Sequence, residues 1–250
     1  MSRSGSDHGL EFLLAFNGRI HHLEEGHWLK FEIVRVAGIP WEDRKNVDGW
    51  LSRAGMYCDD RENSLCIRLI DYPVGSTEPR HVHGGTHATT VLKGRAIVDG
   101  LTLGPLDVVL GPSNEPHGPL HYVDGCQLLS AFQGSYFHSE VEQLSGKKEY
   151  RLVQQAQLPW QAGPEKGAEV KTLIDHGCGR LLLEALRYAP GSTLVAREHP
   201  KLHSALVVEG AAAIDGETLG TWDFLRMLDD PGVGPVRFPQ GATLLAITMR

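Results

Sequence analysis

Four histidines stand close together in one part of the sequence. His81 and His83 are separated by a single residue, and His87 follows after three more. Side chains two residues apart on a β-strand point to the same face, so His81 and His83 can both face the interior of a barrel. Neutral imidazole is the commonest protein ligand of transition metals. Together with His117, which follows a later strand and turn, the spacing predicts a site for one divalent transition metal, Fe, Zn or Ni.

Short strands joined by tight turns must position these histidines. The chain has 29 glycines and 14 prolines, spread along its length between apolar runs such as 65–72, 89–92 and 107–110. This pattern is typical of antiparallel strands linked by turns. Such a unit closes into a barrel or jelly roll, because closure removes exposed sheet edges.

The sequence repeats itself at a shift of 116 positions. The turn Asp99-Gly100 falls on Asp215-Gly216, and the register holds without a gap from residue 65 to residue 129. Further matching pairs are Tyr72 with Tyr188, Gly75 with Gly191, Thr102 with Thr218, Asp107 with Asp223, and Leu128 with Leu244. The repeat predicts two copies of one structural unit.

The 250 residues are predicted to divide into three parts. Residues 1–36 are interpreted as an N-terminal β-hairpin extension, followed by a further strand, with no counterpart in the second half. Residues 37–148 form the metal-binding domain, and residues 149–250 form a second, degenerate copy. Two units of about 110 residues are each large enough to bury a core.

The histidine stretch resembles the two conserved motifs of the cupin superfamily, G(X)5HXH(X)3-4E(X)6G and G(X)5PXG(X)2H(X)3N. The first motif matches at every spacing from Gly75 to Gly94, with His87 at the position of the glutamate. In the second motif only His117 and its distance from Asp107 are carried over. The resemblance implies an all-β, RmlC-like bicupin of two tandem double-stranded β-helix (jelly-roll) barrels. The metal ligands that it implies are His81, His83, His87 and His117.

The second half lacks this set of ligands. At the repeat positions it carries Arg197, His199, His203 and Val233. A guanidinium stays protonated and valine has no donor atom, so two of the four ligands are missing. We therefore expect the C-terminal unit to bind no metal.

Four neutral ligands would leave the full charge on a divalent ion, which favours an anionic substrate such as an enolate or a phenolate. Similar all-histidine cupin sites occur in oxygenases that cleave β-diketones or hydroxyaryl ketones, so the resemblance implies a mononuclear metal-dependent dioxygenase. Three alternatives stay open: a closed tetrahedral zinc site with a structural role, a metal-binding sensor similar to anti-sigma factor cupins, and a metal-dependent isomerase or lyase. The last requires an acid/base pair that the sequence does not identify.

The substrate pocket is predicted to include Arg68, Gln127 and Gln133, which lie in or beside strands near the histidines. No catalytic residue is assigned, and Glu115 is interpreted as a solvated turn carboxylate. Cys66 matches Leu182 in the repeat, which predicts a reduced thiol in the apolar core.

Composition narrows the range of partners to small molecules. The net charge of -7 and the absence of a basic cluster argue against nucleic acid. No apolar run has the length of a membrane span, and we expect a cytoplasmic protein. A homodimer is compatible with the sequence.

Overall fold

The computed structural model describes residues 12–16, 19–23, 29–45, 51–60, 64–136, 138–141, 150–177, 180–194, 204–227 and 235–249. In these residues the secondary structure consists of β-strands and two short 3-10 helices, Val36–Gly38 and Gln155–Gln157. The predicted all-β fold class is confirmed. The described residues contain no helix with the length and apolar character needed to cross a membrane.

The strands of the first part of the chain are β1 (Phe12–Phe16), β2 (Arg19–Leu23), β3 (Leu29–Val34), β4 (Trp41–Lys45), β5 (Leu51–Asp60), β6 (Leu65–Tyr72), β7 (Ser76–Glu78), β8 (His81–His83), β9 (Thr86–Gly94), β10 (Ala96–Val98), β11 (Leu101–Leu103), β12 (Val108–Gly111), β13 (Leu120–Tyr122), β14 (Cys126–Gln133) and β15 (His138–Glu140). β1 and β2 pair antiparallel, as predicted for the N-terminal hairpin.

The strands of the second part are β16 (Arg151–Val153), β17 (Gln161–Ala162), β18 (Ala168–Asp175), β19 (Leu181–Tyr188), β20 (Ser192–Leu194), β21 (Ser204–Gly210), β22 (Ala212–Ile214), β23 (Glu217–Leu219), β24 (Phe224–Met227), β25 (Val236–Phe238) and β26 (Ala242–Met249). The strands β6, β7 and β9 to β14 recur in the same order as β19 to β26. The internal repeat is therefore a repeat of structure.

Each half builds one barrel from a large and a small antiparallel sheet. In the first barrel the large sheet has the order β16-β12-β9-β14-β6-β5-β4, and the small sheet has the order β11-β10-β13-β7. Leu128 and Val91 of the large sheet pack against Val98 and Leu120 of the small one. The second barrel pairs the sheet β1-β2-β3-β24-β21-β26-β19-β18-β17 with the sheet β20-β25-β22-β23. Two jelly-roll barrels follow each other along the chain, as predicted.

The two barrels exchange strands. β16, which precedes the second barrel in the chain, pairs with β12 of the first, and β3 pairs with β24 of the second. Each exchanged strand is followed by a 3-10 helix, so β3 does have a counterpart in the second half. The sequence comparison missed it because the repeat is displaced by three further residues there, as Trp41 and Trp160 show. The domain ranges 1–36, 37–148 and 149–250 stay predictions. The two large sheets cross both boundaries between these ranges.

Paired aspartates anchor both exchanged segments. Asp107 accepts hydrogen bonds from the backbone N–H groups of Gly104 and Gln155, both at 2.8 Å. Asp223 accepts equivalent bonds from Gly220 and Val36, both at 3.0 Å. A carboxylate that satisfies two backbone donors stabilises the turn and the incoming segment together.

The two large sheets pack face to face and share one apolar core. Ile67 on β6 and Leu129 on β14 belong to this core together with Leu183 on β19 and Ile247 on β26. Side chains alternate along a strand, so the neighbouring positions of β6 and β14 point the other way, into the first barrel. This alternation determines which residues face the histidines.

Candidate metal centre

The structure brings the four predicted histidines together inside the first barrel. β8 carries His81 and His83, β9 carries His87, and a single β-bridge holds His117 opposite His81. His83 is 8% exposed and the other three are each 2% exposed. Four buried imidazoles on three segments therefore face one another.

The ring nitrogens of these histidines lie at metal-ligand spacing. The Nε2 atoms of His81 and His83 are 3.1 Å apart, as are those of His87 and His117. His81, His83 and His117 each offer a nitrogen within 4.8 Å of the others. Metal–imidazole bonds of about 2.1 Å put neighbouring ligand nitrogens about 3.0 Å apart at 90° and about 3.4 Å apart at the tetrahedral angle. The residues present fit a metal ion.

Hydrogen bonds at the far side of the rings orient three of the four imidazoles. Nδ1 of His81 donates to the carbonyl of Pro79 at 2.8 Å, and Nδ1 of His117 donates to the carbonyl of Glu115 at 3.0 Å. Nδ1 of His87 lies 3.1 Å from the hydroxyl of Thr89. A carbonyl oxygen can only accept, so Nδ1 of His81 and His117 carries the proton and Nε2 keeps its lone pair.

Burial keeps the imidazoles neutral. Desolvation, followed by the charge of His81, lowers the pKa of His83 to about 3 and that of His117 to about 4. Desolvation also lowers the pKa of His81, and it lowers the pKa of His87 well below its usual value. Only the neutral imidazole ligates a metal, so the four rings are ready to bind at physiological pH.

A glycine makes room for one of the rings. Gly111 on β12 lies opposite His87, and a Cβ atom at Gly111 would stand 2.2 Å from the Nε2 atom of His87. In the second barrel the repeat position is Met227. The sequence alone shows glycine in the first half and methionine in the second. Only the structure shows that the glycine leaves space for the His87 ring.

A carboxylate and a fifth histidine lie beside the four, and the sequence analysis missed both. Glu78 on β7 places Oε1 3.7 Å from Nε2 of His81 and 3.6 Å from Nε2 of His138. The His138 ring stacks on the His81 ring at a centroid distance of 4.3 Å. β15 pairs with β8 and thereby brings His138 opposite His83. The motif comparison implied a site without a carboxylate, but the structure places Glu78 beside the histidines.

Two tyrosines hold the Glu78 side chain. The Tyr122 hydroxyl donates to Oε2 of Glu78 at 2.7 Å, and Tyr72 also hydrogen-bonds to this carboxylate. Burial raises the pKa of Glu78, but His81, His138 and the tyrosine hydroxyl outweigh it and hold the pKa well below the usual range. Glu78 is therefore ionised.

The second barrel shows that this polar interior is not required for folding. The repeat positions of Glu78, Tyr122, Thr89 and Ser130 are occupied by Leu194, Phe238, Ala205 and Ala246. All four replacements lie in the apolar core of the second barrel. The ring pair survives, since Tyr72 stacks on Tyr122 at 4.2 Å and Tyr188 on Phe238 at 4.0 Å. The second barrel therefore lacks both the Tyr122 hydroxyl and the Glu78 carboxylate that it binds, because Phe238 and Leu194 stand at these positions.

Comparisons with known proteins identify the fold. No family model matches the sequence, and no curated protein matches it. A protein from Nostoc punctiforme that is provisionally assigned as a dioxygenase superposes with a TM-score of 0.74 at 11% identity, over 94% of this chain and 87% of that one. This superposition covers both barrels of the chain, whose architecture is the one implied by the motif resemblance. The chain has a cupin fold.

Two further solved structures share this cupin fold. A variant of the oxalate decarboxylase of Bacillus subtilis superposes with a TM-score of 0.58 at 14% identity, over 87% of this chain and 76% of that one. A variant of the salicylate 1,2-dioxygenase of Pseudoaminobacter salicylatoxidans superposes with a TM-score of 0.51 at 15% identity, over 75% of this chain and 72% of that one. At these identities the likeness shows the fold alone.

The histidines lie in a cavity of about 260 Å³ in the first cupin barrel. Of the three residues predicted for the substrate pocket, Arg68 lines this cavity, whereas Gln127 and Gln133 do not. On β14 the even-numbered positions, Ser130 and Phe132 among them, face the cavity, so the two glutamines point to the opposite side. Ser130 and Phe132 replace them as pocket residues.

Two smaller predictions have different outcomes. Glu115 is 6% exposed, so its interpretation as a solvated carboxylate is wrong, and it does not line the cavity. Cys66 is a buried free thiol, as predicted. The four repeat positions of the second cupin barrel, Arg197, His199, His203 and Val233, lie outside the described residues.

Proposed function

We propose that this chain is a mononuclear metal-dependent dioxygenase that acts on a small anionic substrate, an enolate or a phenolate. The observation that carries the proposal is the convergence of buried ring nitrogens in the first barrel. His81, His83 and His117 each offer a nitrogen within 4.8 Å of the others, and Nε2 of His87 lies 3.1 Å from Nε2 of His117. The lowered pKa values keep all four rings neutral, and the proton on Nδ1 of His81 and His117 leaves Nε2 of these two rings free to ligate a divalent transition metal.

The cavity supports an open site rather than a closed structural zinc. The four histidines line a cavity of about 260 Å³, so space for a further ligand adjoins their ring nitrogens. When bound there, a metal such as iron, nickel or zinc supplies a Lewis acid for a substrate oxyanion, and a redox-active metal also supplies an electron donor for dioxygen.

The remaining pocket residues bind and orient the substrate. Glu78 is the only carboxylate among the described residues that line the cavity. The pKa of Glu78 is low, but a diketone or phenol would become more acidic on binding a metal, and the Oε1 atom of Glu78 is placed to accept its proton. His138, 3.6 Å away, is placed to share that proton. Phe132, whose ring lies 5.0 Å from that of His83, offers an apolar wall to the body of the substrate.

The solved structures of similar fold support an enzymatic role. Their names include two dioxygenases, one of them only a provisional assignment, and a decarboxylase. Oxalate and salicylate are both small acids, which agrees with the anionic substrate class proposed here. The metal, the substrate and the reaction are inferred for this chain from its own pocket.

A second candidate, a metal-dependent isomerase or lyase, is favoured by one observation. Such an enzyme needs an acid/base pair inside the barrel, and Glu78 with His138 forms one. A sensor role has less support, because the described N-terminal residues form strands rather than a helical partner domain. The cytoplasmic location and the homodimer stay predictions from the sequence.

Metal analysis tests the site first. Wild-type protein purified without chelator should contain one equivalent of metal, and His83→Ala should lose it. His199→Ala changes the histidine at the equivalent repeat position and is the matched control, with metal content unchanged. Full occupancy in His83→Ala, or a metal-free wild type, would overturn the proposal.

Oxygen uptake tests the reaction. Iron-loaded protein should consume dioxygen with members of a panel of β-diketones and hydroxyaryl ketones, one equivalent per substrate molecule. Substrate loss under nitrogen at the same rate would instead establish the isomerase or lyase. A metal-loaded protein that converts none of the panel in either atmosphere would contradict both assignments for these substrates.

A further inference from the structure

One buried cation in the pocket has no adequate anionic partner. Arg68 is 4% exposed, and its Nε atom makes no hydrogen bond within the described part of the chain. Among the described residues, the carboxylate that pairs with it is Glu42, at 3.5 Å from a terminal nitrogen of the guanidinium. The Glu42 side chain is 75% exposed, so water screens this ion pair.

Burial of an incompletely paired guanidinium is costly, and the fold does not demand it. The repeat position is Glu184, which accepts a hydrogen bond from Thr172 in the second barrel. A conserved packing role would have kept similar chemistry at both positions. The cost at Arg68 is offset if an anion occupies the cavity.

The charges in the cavity are segregated. Arg44, Lys45 and Arg68 line it, whereas the single carboxylate, Glu78, lies beside the histidines. The Arg68 guanidinium lies 5.0 Å from the ring centre of Tyr136, which is half exposed and follows the end of β14 by three residues. One end of the cavity is therefore suited to a metal and the other end to an anion.

The strand register places the two ends within reach of one small molecule. Arg68 lies opposite Ser130, and Ser130 lies opposite Thr89, whose hydroxyl contacts His87. Neighbouring strands are about 4.8 Å apart, so the Cα atoms of Arg68 and Thr89 are separated by about 10 Å. Arg68, Ser130 and Phe132 line the same cavity as the histidines.

We propose that Arg68 is the carboxylate-binding residue of this pocket, and that the substrate is a small carboxylic acid that also carries a metal-chelating pair of oxygens. The chelating end of this substrate rests on the proposed function, whereas the carboxylate end rests on Arg68 alone. A planar guanidinium binds a carboxylate through two parallel hydrogen bonds, and Arg44 adds a second positive charge nearby.

A matched pair of ligands tests the proposal. Benzoylpyruvate and benzoylacetone share a chelating diketone and a phenyl ring, and they differ by a carboxylate in place of a methyl group. Calorimetry with metal-loaded protein should show that wild type prefers benzoylpyruvate. In Arg68→Met the affinity for benzoylpyruvate should fall about 10- to 100-fold, the range for hydrogen bonds to a charged group, while that for benzoylacetone changes less than about threefold.

Two further variants control for charge and folding. Arg187→Met removes a half-exposed arginine of the second barrel that pairs with Glu169, and it should leave both affinities unchanged. Arg68→Lys keeps the charge without the planar fork and should show an intermediate loss. Thermal melting and metal content establish that each variant is folded. Equal affinity of folded Arg68→Met and wild type for benzoylpyruvate would overturn the proposal.

Benzoate binding to chelator-treated protein separates this proposal from the proposed function. Wild type should bind benzoate without metal, and Arg68→Met should not. If this difference is seen in a protein that never takes up metal, the carboxylate site stands and the dioxygenase does not. If metal and benzoylacetone bind while benzoate binding is independent of Arg68, the reverse holds.

Discussion

Substitution of Gly111 by alanine probes the metal centre without touching any ligand. The new methyl group would stand 2.2 Å from Nε2 of His87, whereas ordinary contacts begin at 3.4 Å. The His87 ring must therefore move by about 1 Å, but metal–nitrogen bonds tolerate changes of only about 0.2 Å. The shift also strains the 3.1 Å contact between His87 and Thr89. We expect metal affinity to fall at least 10- to 100-fold.

Metal content measured at a fixed, buffered free-metal concentration checks this prediction. Gly104→Ala is the matched control, because a Cβ at Gly104 meets nothing within 4 Å. The metal-free Gly111→Ala protein should stay folded, with a stability change of about 1–3 kcal/mol from overpacking. Wild-type affinity in Gly111→Ala would show that His87 is not a ligand. Equal losses in both variants would show that the effect does not pass through His87.

Three further outcomes are expected. The metal-free protein should lose stability as pH falls from 6.5 toward 4, because the unfolded chain protonates His83 and His117 there and the folded chain does not. At pH 4.5 this amounts to roughly 3 kcal/mol for each histidine, and identical urea midpoints at pH 7 and pH 4.5 would contradict it. Glu78→Gln should keep its metal but lower kcat about 10²- to 10⁴-fold, and an unchanged kcat would remove Glu78 from proton transfer. Asp223→Ala leaves the N–H groups of Val36 and Gly220 without their acceptor and should cost about 3 kcal/mol in urea denaturation. A loss below about 1 kcal/mol would show that the anchor is dispensable.

The repeat made much of the fold predictable. Turn glycines and aspartates recur in one register, and that register proved to be the register of eight strands in each barrel. The histidines were predictable for the same reason, because spacing along β8 determines which side chains share a face. Sequence reasoning is strongest where one local period fixes the geometry.

Reasoning from the sequence failed where both faces of a strand are buried. β14 lies between the interior of the first barrel and the core shared with the second, so nearly all its residues are apolar or small on both sides. The alternation that reveals an inward face is then invisible, and the wrong face was chosen for Gln127 and Gln133.

Contacts between distant segments were equally hidden. His138 reaches the site because β15 pairs with β8, and no local pattern in the sequence encodes that contact. Glu78 lies only three residues before His81, but the two stand on strands of different sheets, so strand alternation did not relate them. The second barrel offered one signal in retrospect, since Leu194 and Phe238 mark the loss of the Glu78 and Tyr122 pair.

Because the two halves exchange strands, each half depends on the other to complete its large sheet. Separating the halves would remove β16 from the histidine-bearing barrel and β3 from the second barrel. Each barrel would then expose a row of unpaired backbone N–H and C=O groups. Neither fragment is then expected to fold by itself. The described interior of the second barrel is apolar, and the second half still supplies β16, which completes the large sheet of the histidine-bearing barrel.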